Sequence, residues 1–149
     1  MERLAAGLPP DAALWITADH GMVDVPADRR VDYDSSPDLR QGVALLGGEA
    51  RARHVYARPG AAGDVLAAWR ETLGDRVAVA AREEAVAAGW FGPVADLMLP
   101  RIGDVVAVAR GSHAVVATRT ERLESSLIGM HGALTPAEQR VPLLCVSQP

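Results

Sequence analysis

The run Ala12-Ala13-Leu14-Trp15-Ile16-Thr17-Ala18 is apolar almost throughout and ends abruptly in Asp19-His20-Gly21-Met22. A short stretch without polar alternation predicts a buried strand in a parallel sheet covered on both faces. Such sheets gather ligands at the carboxyl ends of their strands, which is where Asp19 and His20 would sit. Carboxylate oxygen and imidazole nitrogen are preferred ligands of zinc and related divalent ions. Gly21 supplies the bend that lets adjacent side chains converge. Taken alone, the pair is as readily a turn with a satisfied histidine.

Far downstream, Gly129-Met130-His131-Gly132 sets a second histidine between glycines, ahead of Leu134-Thr135-Pro136-Ala137-Glu138. Alone, His131 reads equally as a loop histidine or a ligand. Together the two segments resemble the alkaline phosphatase superfamily, and within it the type I phosphodiesterase and nucleotide pyrophosphatase branch. In that branch a Thr/Ser-x-Asp-His-Gly-Met segment, matched by Thr17 to Met22, and a later x-His-Gly segment both sit at a two-metal centre. The resemblance runs through most of the chain, including Arg101-Ile102-Gly103-Asp104. It covers only the C-terminal part of the family's catalytic domain, to which residues 1–149 would belong. The fold it implies is α/β, an alkaline-phosphatase-like sheet with helices on both faces, incomplete in this chain.

The same resemblance implies metal-dependent hydrolysis of phosphodiester or nucleotide pyrophosphate bonds in a small substrate, served by two divalent metal ions, with zinc expected. Asp19 and His20 would ligate the ion that activates the nucleophile, and His131 its neighbour. The family's nucleophile, first aspartate and Asp-x-x-x-His pair lie upstream of the matching segment, so no catalytic nucleophile is assigned here. A catalytic zinc usually keeps three protein ligands and one open position, and two ligands plus one leave both sites short. The isolated chain is therefore expected to bind metal weakly and not to turn over. A missing N-terminal half or a separate chain would supply the rest. The alternative is a noncatalytic module, and a third reading is a sulfatase or phosphonate hydrolase on the same scaffold.

Composition narrows the field further. With 149 residues, 49% of them apolar, the chain can bury one ordinary core. A net charge of −4 offers no basic field for a phosphate backbone, and 4% aromatic residues give no stacking platform, so a nucleic-acid polymer is not an expected partner. All fifteen basic residues are arginine, and there is no lysine or asparagine, which reads as codon bias rather than function. No apolar stretch approaches a membrane span or a signal segment. The single cysteine, Cys145, excludes an internal disulfide; its apolar setting predicts a buried inert thiol and fits a cytoplasmic location.

Along the chain, Leu4 to Leu8 reads as a last helical turn, closed by Gly7 and stopped by Pro9-Pro10. Residues 23–42, rich in Asp, Arg, Pro and Ser, predict an irregular surface loop. A small β-α-β insertion is expected over about residues 43–90. Its parts are a strand at 53–58, a helix with Val65, Leu66, Trp69 and Leu73 at helical spacing, and a strand at 77–80. A helix at 81–88 follows, with Gly89 as its stop and Glu83-Glu84 favouring its positive end. Strands at 104–109 and 114–118 around Gly111-Ser112 predict a hairpin. Thr135 to Glu138 has the form of a capping box with proline at the first helical position, and a last strand follows at 142–146.

Several residues invite chemistry but read better as structure. His54 in a strand and His113 beside a turn are ordinary histidines. The acidic run Asp24, Asp28, Asp32 and Asp34 lacks the spacing of a calcium loop and reads as a solvated loop. Ser125-Ser126 lacks a nucleophile elbow. Gly47-Gly48 is too sparse for a phosphate loop and reads as a connection.

Overall fold

A computed structural model describes residues 2–9 and 11–147. In chain order its elements are α1 (Glu2–Ala6), β1 (Ala13–Thr17), β2 (Val23–Asp24), β3 (Arg30–Asp32), α2 (Pro37–Arg40), β4 (Val43–Glu49), β5 (Ala52–Ala57) and α3 (Ala62–Leu73). There follow β6 (Val77–Ala81), α4 (Arg82–Ala87), β7 (Val105–Ala109), β8 (Ala114–Val116), α5 (Arg122–Ser126), β9 (Gly129–Met130), α6 (Pro136–Gln139) and β10 (Leu143–Ser147). Pro10, expected to help stop the first helix, lies outside the described residues.

The centre of the molecule is an antiparallel sheet in the order β4-β5-β7-β6. One of its two inner strands, β7, reads Val-Val-Ala-Val-Ala and is buried at every position. The two-residue period of a strand sends its side chains to opposite faces. Val105 and Ala107 join one core with Val55 and the α3 residues Val65, Trp69 and Leu73. Val106 and Val108 join another with Ala80, Ala85 of α4, Ile102 and Ala133. The sheet therefore has a helix on each face. Trp69 is fully buried, and its indole N–H donates to the Leu39 carbonyl at 2.9 Å, so the polar end of the ring is satisfied inside the core.

Several expectations fail, each for a physical reason. The Ala12–Ala18 strand is not buried in a parallel sheet. Among the described residues, β1 pairs only with β10, antiparallel, and its residues alternate between exposed and half-buried, so neither of its faces is closed off from water. Cys145 lies on β10, where every residue is exposed, so the thiol is open to solvent rather than buried. Residues 23–42 are not an irregular surface loop. They carry β2, β3 and α2, and bury Val25 and Leu39 completely.

The predicted hairpin around Gly111-Ser112 is a turn but not a strand pair. The His113 N–H closes on the Arg110 carbonyl, after which β8 leaves the sheet and runs parallel to β3. Asp32 and Asp34, expected in solvent, hold that junction together. Asp32 accepts from the Thr118 backbone and hydroxyl, and Asp34 from the Arg119 and Thr120 N–H groups. Burial pushes the Asp32 carboxyl up, but the Thr118 hydrogen bonds and the Asp34 N–H outweigh it and hold it below its usual value. Gly47-Gly48 lies inside β4 rather than between elements.

Candidate functional site

Two short ladders bring the ends of the chain together. Beyond β1 the chain turns through Asp19-His20-Gly21 and enters β2, which pairs antiparallel with β9 in the register Val23↔Met130 and Asp24↔Gly129. The Val25 N–H extends this ladder to the Ile128 carbonyl at 2.9 Å. His131 follows Met130 directly and is therefore delivered beside the turn that carries His20. The two imidazoles stack, with centroids 3.7 Å apart and planes inclined by 14°.

The turn is fixed by its neighbours. The Gly21 N–H donates to the Glu138 carbonyl at 2.8 Å. A Cβ at position 21 would fall 1.9 Å from the Ala137 carbonyl oxygen, so only glycine permits α6 to pack here. His20 Nδ1 lies 2.9 Å from the Gly21 carbonyl. A carbonyl can only accept, which assigns the proton to Nδ1 and leaves the Nε2 lone pair free. That nitrogen is 3.8 Å from the exposed Asp19 carboxylate, whose other oxygen accepts the His20 N–H at 3.1 Å.

Thr135 to Glu138 does not form the predicted capping box. The Thr135 hydroxyl caps no backbone N–H; it donates to the Glu138 carboxylate. Glu138 is buried and taken up by Arg51, also buried, through Nε at 2.7 Å and Nη2 at 2.8 Å. Its Oε1 also accepts the Ala133 N–H at 2.9 Å. Burial pushes the Glu138 carboxyl up, but the hydrogen bonds from Arg51, Thr135 and Ala133 outweigh it and hold the group below its usual value. Arg51 completes its fork on the His113 and Gly111 carbonyls at 2.6 and 2.9 Å.

Two further arginines escaped the sequence reading. Arg30 gathers the carbonyls of Val25, Ser125 and Leu127, tying β2 to the turn that precedes β9. Arg53, buried, donates to the Val115 carbonyl and makes a two-pronged pair with Glu121 at 2.7 and 3.0 Å.

The remaining candidates are structural. His54 Nδ1 accepts the Gly103 N–H at 3.1 Å, and burial pushes its imidazole below the usual value. His113 faces Arg29 and the Arg110 carbonyl. The Ser125 hydroxyl accepts the Ala117 N–H. Asp104 holds Arg82 at 2.6 Å and the Ala57 N–H at 2.9 Å. A cavity of about 310 Å³ opens beside His131, lined by Met22, Glu49, Glu121, Glu124 and Leu127. Among the described residues, no three His, Cys, Asp or Glu side chains converge on one point at which an ion could be held. Asp19, His20 and His131 suit a divalent ion in donor type and fall short of a full site in number.

The fold is shared with solved phosphoric-ester and phosphonate hydrolases. Murine ectonucleotide pyrophosphatase / phosphodiesterase 5 superposes with a TM-score of 0.73 at 18% identity, over 93% of this chain and 34% of its own. The human protein of the same name gives 0.70 at 19% identity, over 91% and 33%. Phosphonoacetate hydrolase from Sinorhizobium meliloti gives 0.62 at 23% identity, over 92% and 36%. The chain thus spans about a third of the length of these proteins. No curated protein sequence matches it. The family profile described as type I phosphodiesterase / nucleotide pyrophosphatase matches residues 1–134, and the chain belongs to that family, a branch of the alkaline phosphatase superfamily.

Proposed function

We propose that this chain is the C-terminal part of a catalytic domain that hydrolyses phosphodiester or nucleotide pyrophosphate bonds with two divalent metal ions, zinc being the metal of choice. The observation that carries the reading is the His20–His131 contact. Two histidines from opposite ends of the sequence meet at 3.7 Å, beside an exposed aspartate. In this reading Asp19 and His20 hold one ion and His131 holds its neighbour. Bound ions of this kind lower the pKa of an attacking hydroxyl and neutralise charge gathering at phosphorus.

The chain's own residues supply orientation. The Gly21 carbonyl keeps the proton on His20 Nδ1 and leaves the Nε2 lone pair available to a metal ion, the arrangement that outer hydrogen bonds impose on metal-binding histidines. The cavity beside His131 is large enough for part of a small substrate. The nucleophile and the remaining ligands come from an upstream segment, in keeping with relatives that are about three times as long. The names of those relatives include hydrolysis of phosphodiesters, pyrophosphates and a phosphonate, so the scaffold alone does not select the substrate.

The test begins with the intact mass of the native protein. A mass well above that of this chain, with aryl phosphodiester hydrolysis that a chelator and H20A or H131A abolish, supports the proposal. A dominant sulfate rate, or a diester rate indifferent to chelation and to H131A, overturns it. Zinc-dependent turnover by the 149-residue chain alone would refute the need for an upstream half. A second reading, a module completed by a separate chain, draws on the exposed apolar residues Trp15, Leu143 and Leu144 of the β1–β10 ribbon. Concentration-dependent association favours that reading, and a stable monomer counts against it.

A further inference from the structure

The buried Arg51–Glu138 pair lies outside the histidine site, yet it reaches both sides of it. From Glu138 one path runs through its backbone carbonyl to the Gly21 N–H at 2.8 Å, the residue after His20. The other runs through carboxylate Oε1 to the Ala133 N–H at 2.9 Å, two residues after His131. Arg51 holds the carboxylate with two N–H groups and anchors itself on the His113 and Gly111 carbonyls. Through Ala52 the same corner of the sheet also abuts Gly132, where an added Cβ would lie 3.3 Å from the Ala52 Cβ.

Stability alone does not explain such a pair. Removing two charges from water is costly, and apolar residues of similar volume often serve stability as well or better. A carboxylate can do something an apolar side chain cannot, which is to accept several hydrogen bonds at once and so tie its own stretch of chain to a remote one. Here the remote donor is the Arg51 guanidinium, and the local ones are the Thr135 hydroxyl and the Ala133 N–H. Every buried polar side-chain atom among the described residues has a partner, so the network is complete as it stands.

We propose that Arg51 and Glu138 are positioning residues that set the spacing of His20 and His131. Glu138 carries the turn after His20 on its backbone and the turn after His131 on its side chain, and Arg51 fixes both to the central sheet. The inference rests on the reading of the two histidines as working partners, but its test needs neither metal nor turnover.

In the 149-residue chain, nuclear magnetic resonance reads the dipolar contact between the His20 and His131 rings directly. In R51L/E138L, which keeps an apolar filling in place of the pair, the expected result is loss of that contact. The Trp69 indole N–H and the β7 amides are expected to keep their wild-type shifts. E138Q retains an acceptor oxygen for the Ala133 N–H and is expected to restore much of the contact. A folded R51L/E138L with the ring contact intact overturns the proposal. Should the variants fail to fold, amide exchange in the wild-type chain decides. The Gly21 and Ala133 N–H groups are expected to be protected together. A Gly21 amide that exchanges like an open loop while Ala133 stays protected overturns the proposal as well.

Discussion

The β4-β5-β7-β6 sheet and the β1–β10 ribbon are written in the same alphabet and end in opposite environments. Val-Val-Ala-Val-Ala of β7 is buried at every position, whereas Ala-Leu-Trp-Ile-Thr of β1 is largely open, with Trp15 62% exposed and Leu143 across the ribbon 68% exposed. The difference is not one of hydrophobicity. β7 has a strand on each side and a helix on each face, while β1 has one strand partner and no fully buried face among the described residues. The burial of an apolar strand is set by the strands and layers around it and not by its own composition.

The strongest test of this contrast compares two tryptophans. Trp69 is 0% exposed, and Trp69→Ala should cost about 3–5 kcal/mol, as aromatic truncations in close-packed cores do. Trp15→Ser in the ribbon should stay within about 0.5 kcal/mol, the range of ordinary surface changes. Urea unfolding followed by far-ultraviolet circular dichroism measures both. Equal losses would break the comparison, because they would mean that the ribbon is packed in solution.

A second test sharpens the contrast inside the buried region. Glu138→Ala leaves Arg51 charged, buried and unpaired, and should cost about 3–5 kcal/mol, whereas R51L/E138L should recover most of that loss. The same denaturation measurement separates the two. A double variant as unstable as the single one would show that the leucines do not fill the site. The His20–His131 ring contact is a separate readout, since stability can return while position does not.

The sequence is legible where structure is local. The helical spacing of Val65, Trp69 and Leu73, the strand character of 105–109 and the glycine bend at position 21 all follow from periodicity or from one residue's conformational range. The meeting of His20 with His131 was legible only through the family resemblance, since nothing in either segment names the other. What stayed hidden depends on acceptors far away in the chain. Nothing in the sequence singles out Arg51, Arg53 and Arg30, which are structural because open carbonyls at Gly111, His113, Val115, Val25 and Ser125 face them in the fold. The parallel β3–β8 pair was likewise unreadable, because a turn at Gly111 says that the chain reverses and not which strand it then joins.

The smallest expected effect is a pH dependence on the sheet side of the comparison, and its sign follows from His54. Burial pushes the imidazole below its ordinary value of 6.5, and Nδ1 accepts the Gly103 N–H, which a protonated ring could not do. As pH falls through about 6.5 the unfolded chain takes up this proton before the folded chain does, so stability declines on the acid side. Asp32 and Glu138 add a later loss at lower pH, because both are held below their usual values in the fold and must be protonated against their hydrogen bonds. Urea midpoints taken between about pH 8 and pH 5 isolate the histidine step from the carboxylates. The midpoint should fall on acidification, and His54→Gln should flatten that fall while leaving the later acid limb in place. A wild-type midpoint that rises as pH drops through this window, with the rise lost in His54→Gln, would mean that the His54 ring gains a partner in its charged form and that its place beside Gly103 is less closed to water than the β7 core.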